Sequence, residues 1–556
     1  VGHTIWDTIL YAVLTTLFLL YIHSAYPLTA PRDSAEYAST VPTLSIPHQP
    51  GYPLYTITAN IFQLLHLATP SFCVTVFSSI CTVLTCFLLY RTMLILNILP
   101  ILRILAVILY GFNPLIYLQS TIAGPFMLNA LFLSVFIYLT INTLVRNNAY
   151  IASYLFGLSL CNHQTILLIL PLVYYLLKKK KVHTGSTLFF FLCGLTPYLF
   201  LIVRSAAQPV VDTGDTESLS NLFSALFRTD FGTLRLHHES YGNTSSIAAR
   251  FHTTLCHIRD WTQKTGWLTI IFSIPGMIKF SRRIPSLWKY IFASILFSGP
   301  GLIILASMPI TSESTEIMQR FYVLPFTLMI IPAITGMDWI LRAKNTLVQS
   351  LTILFFAILC FNCFVHIQHC FQFYNNRHNY VTPDFMHNIF ITIEPNNLLF
   401  LDADNPIFLS RYCQLITKKR VDTTVIENIP FPWYIELMKK RYPTLCFSAV
   451  KLNSLTPSVF FENIVDDNIG NYQFYTNTSL GSKYDNYLTP SGLLLRLQPS
   501  GRLMMYTSGV YSSVIMSNLY VYRSPPGIGW YTQYFDREII GDYVIAWENV
   551  QLSTKY

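Results

Sequence analysis

The sequence predicts a mainly α fold: a multi-pass helical body in a membrane, followed by an α/β domain outside it. Three observations predict this. Of 556 residues, 52% are hydrophobic and only 11% charged, where soluble chains carry about a quarter charged, and the mean hydropathy is +0.44. Apolar runs of bilayer length recur through residues 1–367. From about residue 370 onward the composition returns to that of an ordinary soluble domain.

The first run, 5–26, is too long and too lightly charged at its start for a cleaved signal peptide. The chain begins with Val1 rather than Met, which leaves room for a few residues before it. Further runs of about 17 to 25 residues fall at 71–90, 103–119, 125–144, 183–203, 287–307, 321–341 and 347–367, with a marginal one at 266–281. Between Tyr150 and Leu177 one more run is interrupted by Asn162-His163-Gln164. It reads as two short helices meeting at a polar tip, an arrangement tolerated at membrane depth when it faces protein or a wet cavity. The expected total is about eleven passes.

Lys and Arg collect in short cytoplasmic loops of membrane proteins. Arg91, Arg103, Arg146, Lys178 to Lys181, Arg282, Arg283, Arg342 and Lys344 all fall on one side of this arrangement. That side is read as the cytoplasm, with the N-terminus there too. The net charge of +9 is therefore a topology signal, and a nucleic-acid partner is not expected. Outer loops 27–70 and 206–264 and the segment 368–556 fall on the opposite face. Within that last segment, Asn397 to Leu401 reads as a buried strand ending in Asp402-Ala403-Asp404-Asn405-Pro406. A helix around 408–416, a strand at Thr423 to Ile426 and a helix from Pro432 to Arg441 follow, suggesting a small α/β layer. Later sequence is richer in β-branched and aromatic residues and turns.

Seven of the eleven cysteines lie in apolar spans, where Cys packs as a small hydrophobe. Cys256, Cys370, Cys413 and Cys446 fall on the outer face, enough for one disulfide but not a framework. No CxxC, HExxH, P-loop or Gly-rich dinucleotide turn is present, so no cofactor is firmly expected and a divalent metal is left open. Asn243-Thr244-Ser245 and Asn477-Thr478-Ser479 are glycosylation sequons if the host is eukaryotic.

The candidate chemistry sits just after the first span. Asp33 and Glu36 stand in Pro31-Arg32-Asp33-Ser34-Ala35-Glu36-Tyr37, and His48 opens a rigid turn, His48-Gln49-Pro50-Gly51-Tyr52-Pro53. Ionisable groups delivered to a water-lipid boundary mark a functional site by default. A partly desolvated carboxylate there can take a proton from a hydroxyl nucleophile. Arg204, which closes one span, Arg320, which opens another, and His48 and His163 at similar depth can hold a phosphate leaving group through charge-assisted bonds. Each has a plainer reading: arginines at helix ends snorkel to the interface, lone outer acids are usually solvated, and His163 can simply cap a hairpin tip.

These blocks carry a resemblance. Asp33-Ser34-Ala35-Glu36, His48 through Tyr55, Leu128-Asn129-Ala130-Leu131-Phe132, Gly157 to Leu160 with Asn162-His163, Arg204 to Ala207, Gly214-Asp215, Arg320-Phe321, Asp402 to Asn405 and Trp433-Tyr434-Ile435 follow, in that order, the pattern of the transmembrane protein 260 family of protein O-mannosyltransferases and its bacterial relatives. The resemblance implies a GT-C type membrane glycosyltransferase fed by a polyprenyl-phosphate sugar. It implies Asp33 as the catalytic base with Glu36 second, and His48, Arg204, Arg320 and His163 on the donor phosphate. Asn162, Tyr52 and Asp215 would serve the acceptor or the architecture. Two departures stand out: relatives carry a glutamate before Leu128-Asn129, where this chain has Ala123-Gly124-Pro125-Phe126, and an aromatic before Gly214-Asp215, where it has Thr213.

The expected function is inverting transfer of a hexose, mannose first, from the lipid-phosphate carrier to Ser or Thr of a secreted protein. The alternative is a non-catalytic receptor or assembly factor on a degenerate transferase body. The resemblance of the C-terminal segment favours a bacterial inner membrane, with the endoplasmic reticulum as the alternative. The reading requires Asp33, His48 and Arg204 to converge around one cavity open to lipid and solvent.

Overall fold

The computed structural model describes residues 5–142, 148–178, 183–233, 247–342, 346–447, 456–498, 505–523 and 534–553. Arg146, Lys179 to Lys181, Lys344 and the Asn243 sequon lie outside the described residues.

Among the described residues, five helices are long and apolar enough to cross a membrane: Ile5–His23, Pro70–Ile95, Thr184–Ala206, Trp288–Ala306 and Ser312–Leu341. Pro100–Gly111 and Pro114–Ser120, bent by 64°, make a sixth if taken together. The bend has a local cause, since Asn113 accepts a bond from Leu115 N and Pro114 starts the second segment. Thr346–Phe373, 28 residues long, precedes the strands. The expected count of eleven exceeds this because several runs fold into shorter helices. Phe126–Ile141 has 16 residues, about 24 Å of rise against a hydrocarbon core of about 30 Å. The 150–177 run splits into Ala149–Leu160 and Gln164–Lys178 around the Asn162-His163 tip.

Where water supplies no drive for helix association, small residues let backbones approach closely. The Trp267–Arg283 and Val323–Leu341 helices meet in this way. A Cβ on Gly276 would lie 1.8 Å from Pro332 O, and one on Gly336 would lie 2.1 Å from Phe272 O.

The later chain carries a five-stranded sheet in the order β2-β1-β3-β5-β4, with β1 Leu398–Leu401, β2 Thr424–Glu427, β3 Phe474–Thr476, β4 Leu488–Ser491 and β5 Leu494–Leu497. β1 pairs in parallel with β2 and β3, and β5 pairs antiparallel with β3 and β4. Period-two alternation divides β1 between two cores: Leu399 and Leu401 pack with Phe385, Phe408 and Tyr475, while Leu398 and Phe400 pack with Tyr434, Phe460 and Phe474.

The Asp33–Thr40 helix ties this layer to the helical body. Ala35 packs into the same cluster as Leu399 and Leu401, and Ile46 N donates to Val211 O at 2.9 Å, joining the first outer loop to the second. Gly51, at φ 91°, lies against Leu201, 2.9 Å from where a Cβ would be, so the Pro50-Gly51-Tyr52 turn needs glycine. All eleven cysteines are free, so the one disulfide the outer cysteines would allow is not formed; Cys370 donates through its thiol to Phe112 O. The Asn477 side chain is bonded to Asp402 N and O, so this sequon braces two strand ends.

Gly276→Leu is expected to collapse the yield of monodisperse protein on gel filtration in detergent, while Gly470→Ala, with open space around its Cβ position, leaves the profile unchanged. A normal Gly276→Leu profile would contradict the close helix approach.

Candidate active site

Asp33 starts the Asp33–Thr40 helix, whose acids are held by charged neighbours. The Asp33 carboxylate pairs with Arg320, and Arg320 lies over the rings of Phe126 and Phe321. Burial alone pushes Asp33 up, yet Arg320, His48 and Arg32 together hold it down to about 2. Its side chain is 20% exposed, so it remains reachable. Glu36, one turn on, is 0% exposed and fully engaged. It accepts from His48 N at 2.8 Å, from the His48 ring and from Arg411 at 3.3 Å. Arg411 also forms a two-pronged pair with Glu427 at the end of β2, both bonds at 2.6 Å.

His48 is therefore a cation. Burial alone would lower it, but the Tyr52 hydroxyl, 3.0 Å from Nε2, and Glu36 raise it to about 10. Arg32, just before Asp33, binds three carboxylates, Glu313 at 2.6 Å, Asp404 at 2.7 Å and Glu538 at 3.1 Å. Its backbone N–H donates to Asn405. These groups face a cleft of about 420 Å³ between the outer ends of the helices and the carboxyl ends of β1 and β2. A recess of about 80 Å³, lined by Tyr52, Phe126, His163 and Phe321, continues from it and shares Asp33, His48, Arg228 and Arg320. Arg32, Tyr52, Arg228 and Ala403, which border these spaces, have left-handed backbone at φ 57°, 43°, 51° and 72°. Such strain costs about 1–3 kcal/mol each and clusters at functional sites. A separate, mostly apolar hollow of about 450 Å³ near Leu28, Met386 and Tyr412 holds none of these acids.

The structure thus brings together Asp33, Glu36, His48, Tyr52, His163 and Arg320. It does not bring Arg204: of the three residues expected to converge, only Asp33 and His48 meet at the cleft, and the arginine beside them is Arg320. The Arg204 guanidinium donates to Leu44 O at 2.6 Å and Thr43 O at 3.1 Å, holding the loop that leads to His48. His163 Nδ1 accepts from Thr165 N, so it caps the following helix. Asn162 braces the tip on Pro125 O. Asp215 sits in a left-handed turn and lines neither space. Sequence reasoning passed over Arg411, Arg32, Arg228, Asp230 and Glu313. Arg32 was adjacent to the first block and Arg411 follows the Asp402 block by two helical turns, whereas nothing in the sequence distinguished Arg228 or Asp230.

This fold has a counterpart among solved structures. The crystal structure of ArnT from Cupriavidus metallidurans in the apo state superposes with a TM-score of 0.51 at 9% identity, covering 88% of this chain and 97% of that one; at that identity the likeness is one of fold. The resemblance read from the motif blocks is borne out as well. Residues 33–186 match the family model described as the protein O-mannosyl-transferase TMEM260 N-terminal domain. The mouse protein O-mannosyl-transferase TMEM260 is 24% identical over 479 residues, 78% of this chain and 65% of that protein. The Dictyostelium discoideum protein O-mannosyl-transferase tmem260 is 20% identical over 541 residues, 86% and 65%. The chain spans about 65% of the length of these relatives.

Two outcomes follow from the charge network. Removing one partner of a buried pair leaves the others uncompensated, about 3–5 kcal/mol, so Glu36→Gln should lower the melting temperature of the purified protein by about 3–4 °C. A smaller shift would mean the network is not closed. The His48 value of about 10 lies above its ordinary 6.5, so the stability it adds is full below pH 6.5 and is lost as pH rises through 10. The melting difference between the native protein and His48→Gln should therefore shrink from pH 6 to pH 10.5; a constant difference would contradict a charged His48.

Proposed function

We propose that the protein is a membrane glycosyltransferase that moves a hexose, mannose first, from a polyprenyl-phosphate carrier to a hydroxyl of a secreted protein, with Asp33 as general base. The observation that carries this is the Asp33–Arg320 pair facing a cleft ringed by cations. The names of the relatives support the reaction class and the sugar. In this reading the helical body makes about eleven passes with the N-terminus in the cytoplasm, as the placement of Lys and Arg supports. Residues 368–556 form an α/β domain outside it, in the bacterial periplasm or, as the alternative, the reticulum lumen.

In the resting pair Asp33 is a weak base. When the donor phosphate enters, Arg320 turns to it, and Asp33 loses the partner that most lowers its proton affinity. The acceptor oxygen then attacks the anomeric carbon, the bond from that carbon to the phosphate oxygen breaks, and the hydroxyl proton passes to Asp33. The carrier leaves as a phosphate monoester with one more negative charge. Arg228 and the His48 cation, with the turned Arg320, stand where that charge develops, which favours the transition state over the bound donor. A single base acting opposite the leaving group gives inversion. Glu36, shut off from solvent, serves by holding His48 and Arg411.

The non-catalytic alternative rests on Gly124. Its Cβ position is open, with Phe126 3.8 Å away, and the adjoining Ala123 N donates to Ser34 Oγ at 3.0 Å, so the missing glutamate would have stood beside Asp33. Labelled polyprenyl-phosphate mannose separates the two, since an assembly factor leaves the sugar on its carrier.

Asp33→Asn should reduce transfer at least about a thousandfold, the upper range for loss of a general base together with its charge, with membrane expression retained. Unchanged turnover would remove Asp33 from the role. Arg320→Lys should raise the KM for donor more than that for acceptor, because a point charge replaces a planar fork; equal effects on both would contradict a phosphate contact.

A further inference from the structure

The wall of the cleft opposite Arg320 has a chemistry of its own. Phe431 and Trp433 stack with centroids 6.2 Å apart and planes 13° from parallel, and both line the cleft. Trp433 is fixed from behind: its Nε1–H donates to Asp230 Oδ2 at 3.1 Å, and Gln49 Nε2 donates to the same oxygen at 2.8 Å. Gln49 is 2% exposed, and its Oε1 has no hydrogen-bond partner among the described residues. Asn428, at the carboxyl end of β2, donates through Nδ2 to Asp402 Oδ1 at 2.9 Å, while its Oδ1 also has no partner. Gln49 and Asn428 thus border the cleft with unpartnered amide oxygens buried just behind its surface, beside the Asp402 carboxylate and a flat aromatic surface. Unpaired buried acceptors are costly and point to a missing donor. The cleft also lies outside the carboxyl ends of parallel strands, where α/β layers bind ligands.

We infer that this wall is a hexopyranose subsite: the apolar C–H face of the ring lies on Trp433, and its hydroxyls donate to Asp402 and, once the Gln49 and Asn428 amides turn into the cleft, to their Oε1 and Oδ1. A ring with several vicinal O–H donors and one apolar face fits this set. A phosphate does not, because the wall presents acceptors. The inference rests on the transferase reading, in which this ring is the sugar of the donor. It assigns the selectivity for that sugar to the α/β layer and leaves the phosphate to the helical body.

The test is direct binding of methyl α-D-mannopyranoside to the full chain in nanodiscs by saturation-transfer NMR, with intrinsic tryptophan fluorescence as a second readout. Native protein and Gly470→Ala, a change in open space outside the cleft, should bind alike. Trp433→Leu and Asn428→Ala should each weaken binding about tenfold, the loss of one good contact. Trp433→Phe should retain it within about threefold, because the aromatic face survives. Absence of hexoside binding by the native protein, or equal binding by all variants, would overturn the subsite. So would a transferase in which Trp433→Leu, with unchanged melting, alters only the KM for acceptor, while the transferase reading would stand. Hexoside binding at this wall without transfer from any lipid-phosphate sugar would sink that reading and leave the subsite.

Discussion

The buried charge network around Glu36 is the constraint on which the rest of the site depends. One carboxylate with 0% exposure accepts from the His48 backbone, the His48 ring and Arg411, and Arg411 is in turn fixed by Glu427. A buried carboxylate is tolerable only when so compensated. Because its partners come from the first outer loop, the helix after β1 and the end of β2, satisfying Glu36 requires the sheet layer to sit against the Asp33–Thr40 helix. The cleft is the space left over by that docking.

Arg32 applies the same logic on the other side of Asp33. It gathers Glu313 from the helical body, Asp404 from the end of β1 and Glu538 from the C-terminal Tyr534–Ser553 helix. Asp33 therefore stands between two clamps, one anionic at its core and one cationic. Neither consumes its carboxylate, which is left to Arg320 alone among the cations paired with it. Arg320 is the group that a phosphate can compete for, since Arg32 and Arg411 are already neutralised by several carboxylates.

Much of this was legible in the sequence. The Asp33-to-Glu36 and His48-to-Tyr55 blocks marked the site because acids, a histidine and a glycine turn are improbable next to a membrane helix unless used. The β1 strand with its acidic end was readable from a short apolar run closed by Asp402-Ala403-Asp404. Arg204 was misplaced because an arginine that closes a span has the same sequence signature whether it faces a ligand or caps loop carbonyls. His163 sits among Tyr52, Phe126 and Phe321, a packing that its place in the sequence does not reveal. Arg411 and Asp230 lie about 375 and 180 residues from the loop residues they bind, pairings that no local pattern encodes.

The central claim is that Arg320 exchanges its Asp33 partner for the donor phosphate. Its most direct test is a cryo-EM structure of the protein with a non-transferable prenyl-phosphonate hexoside. The account predicts the phosphonate bonded to Arg320, with the Asp33 carboxylate freed and turned towards the anomeric carbon. A phosphonate bound elsewhere, with the Asp33–Arg320 pair intact, would contradict it.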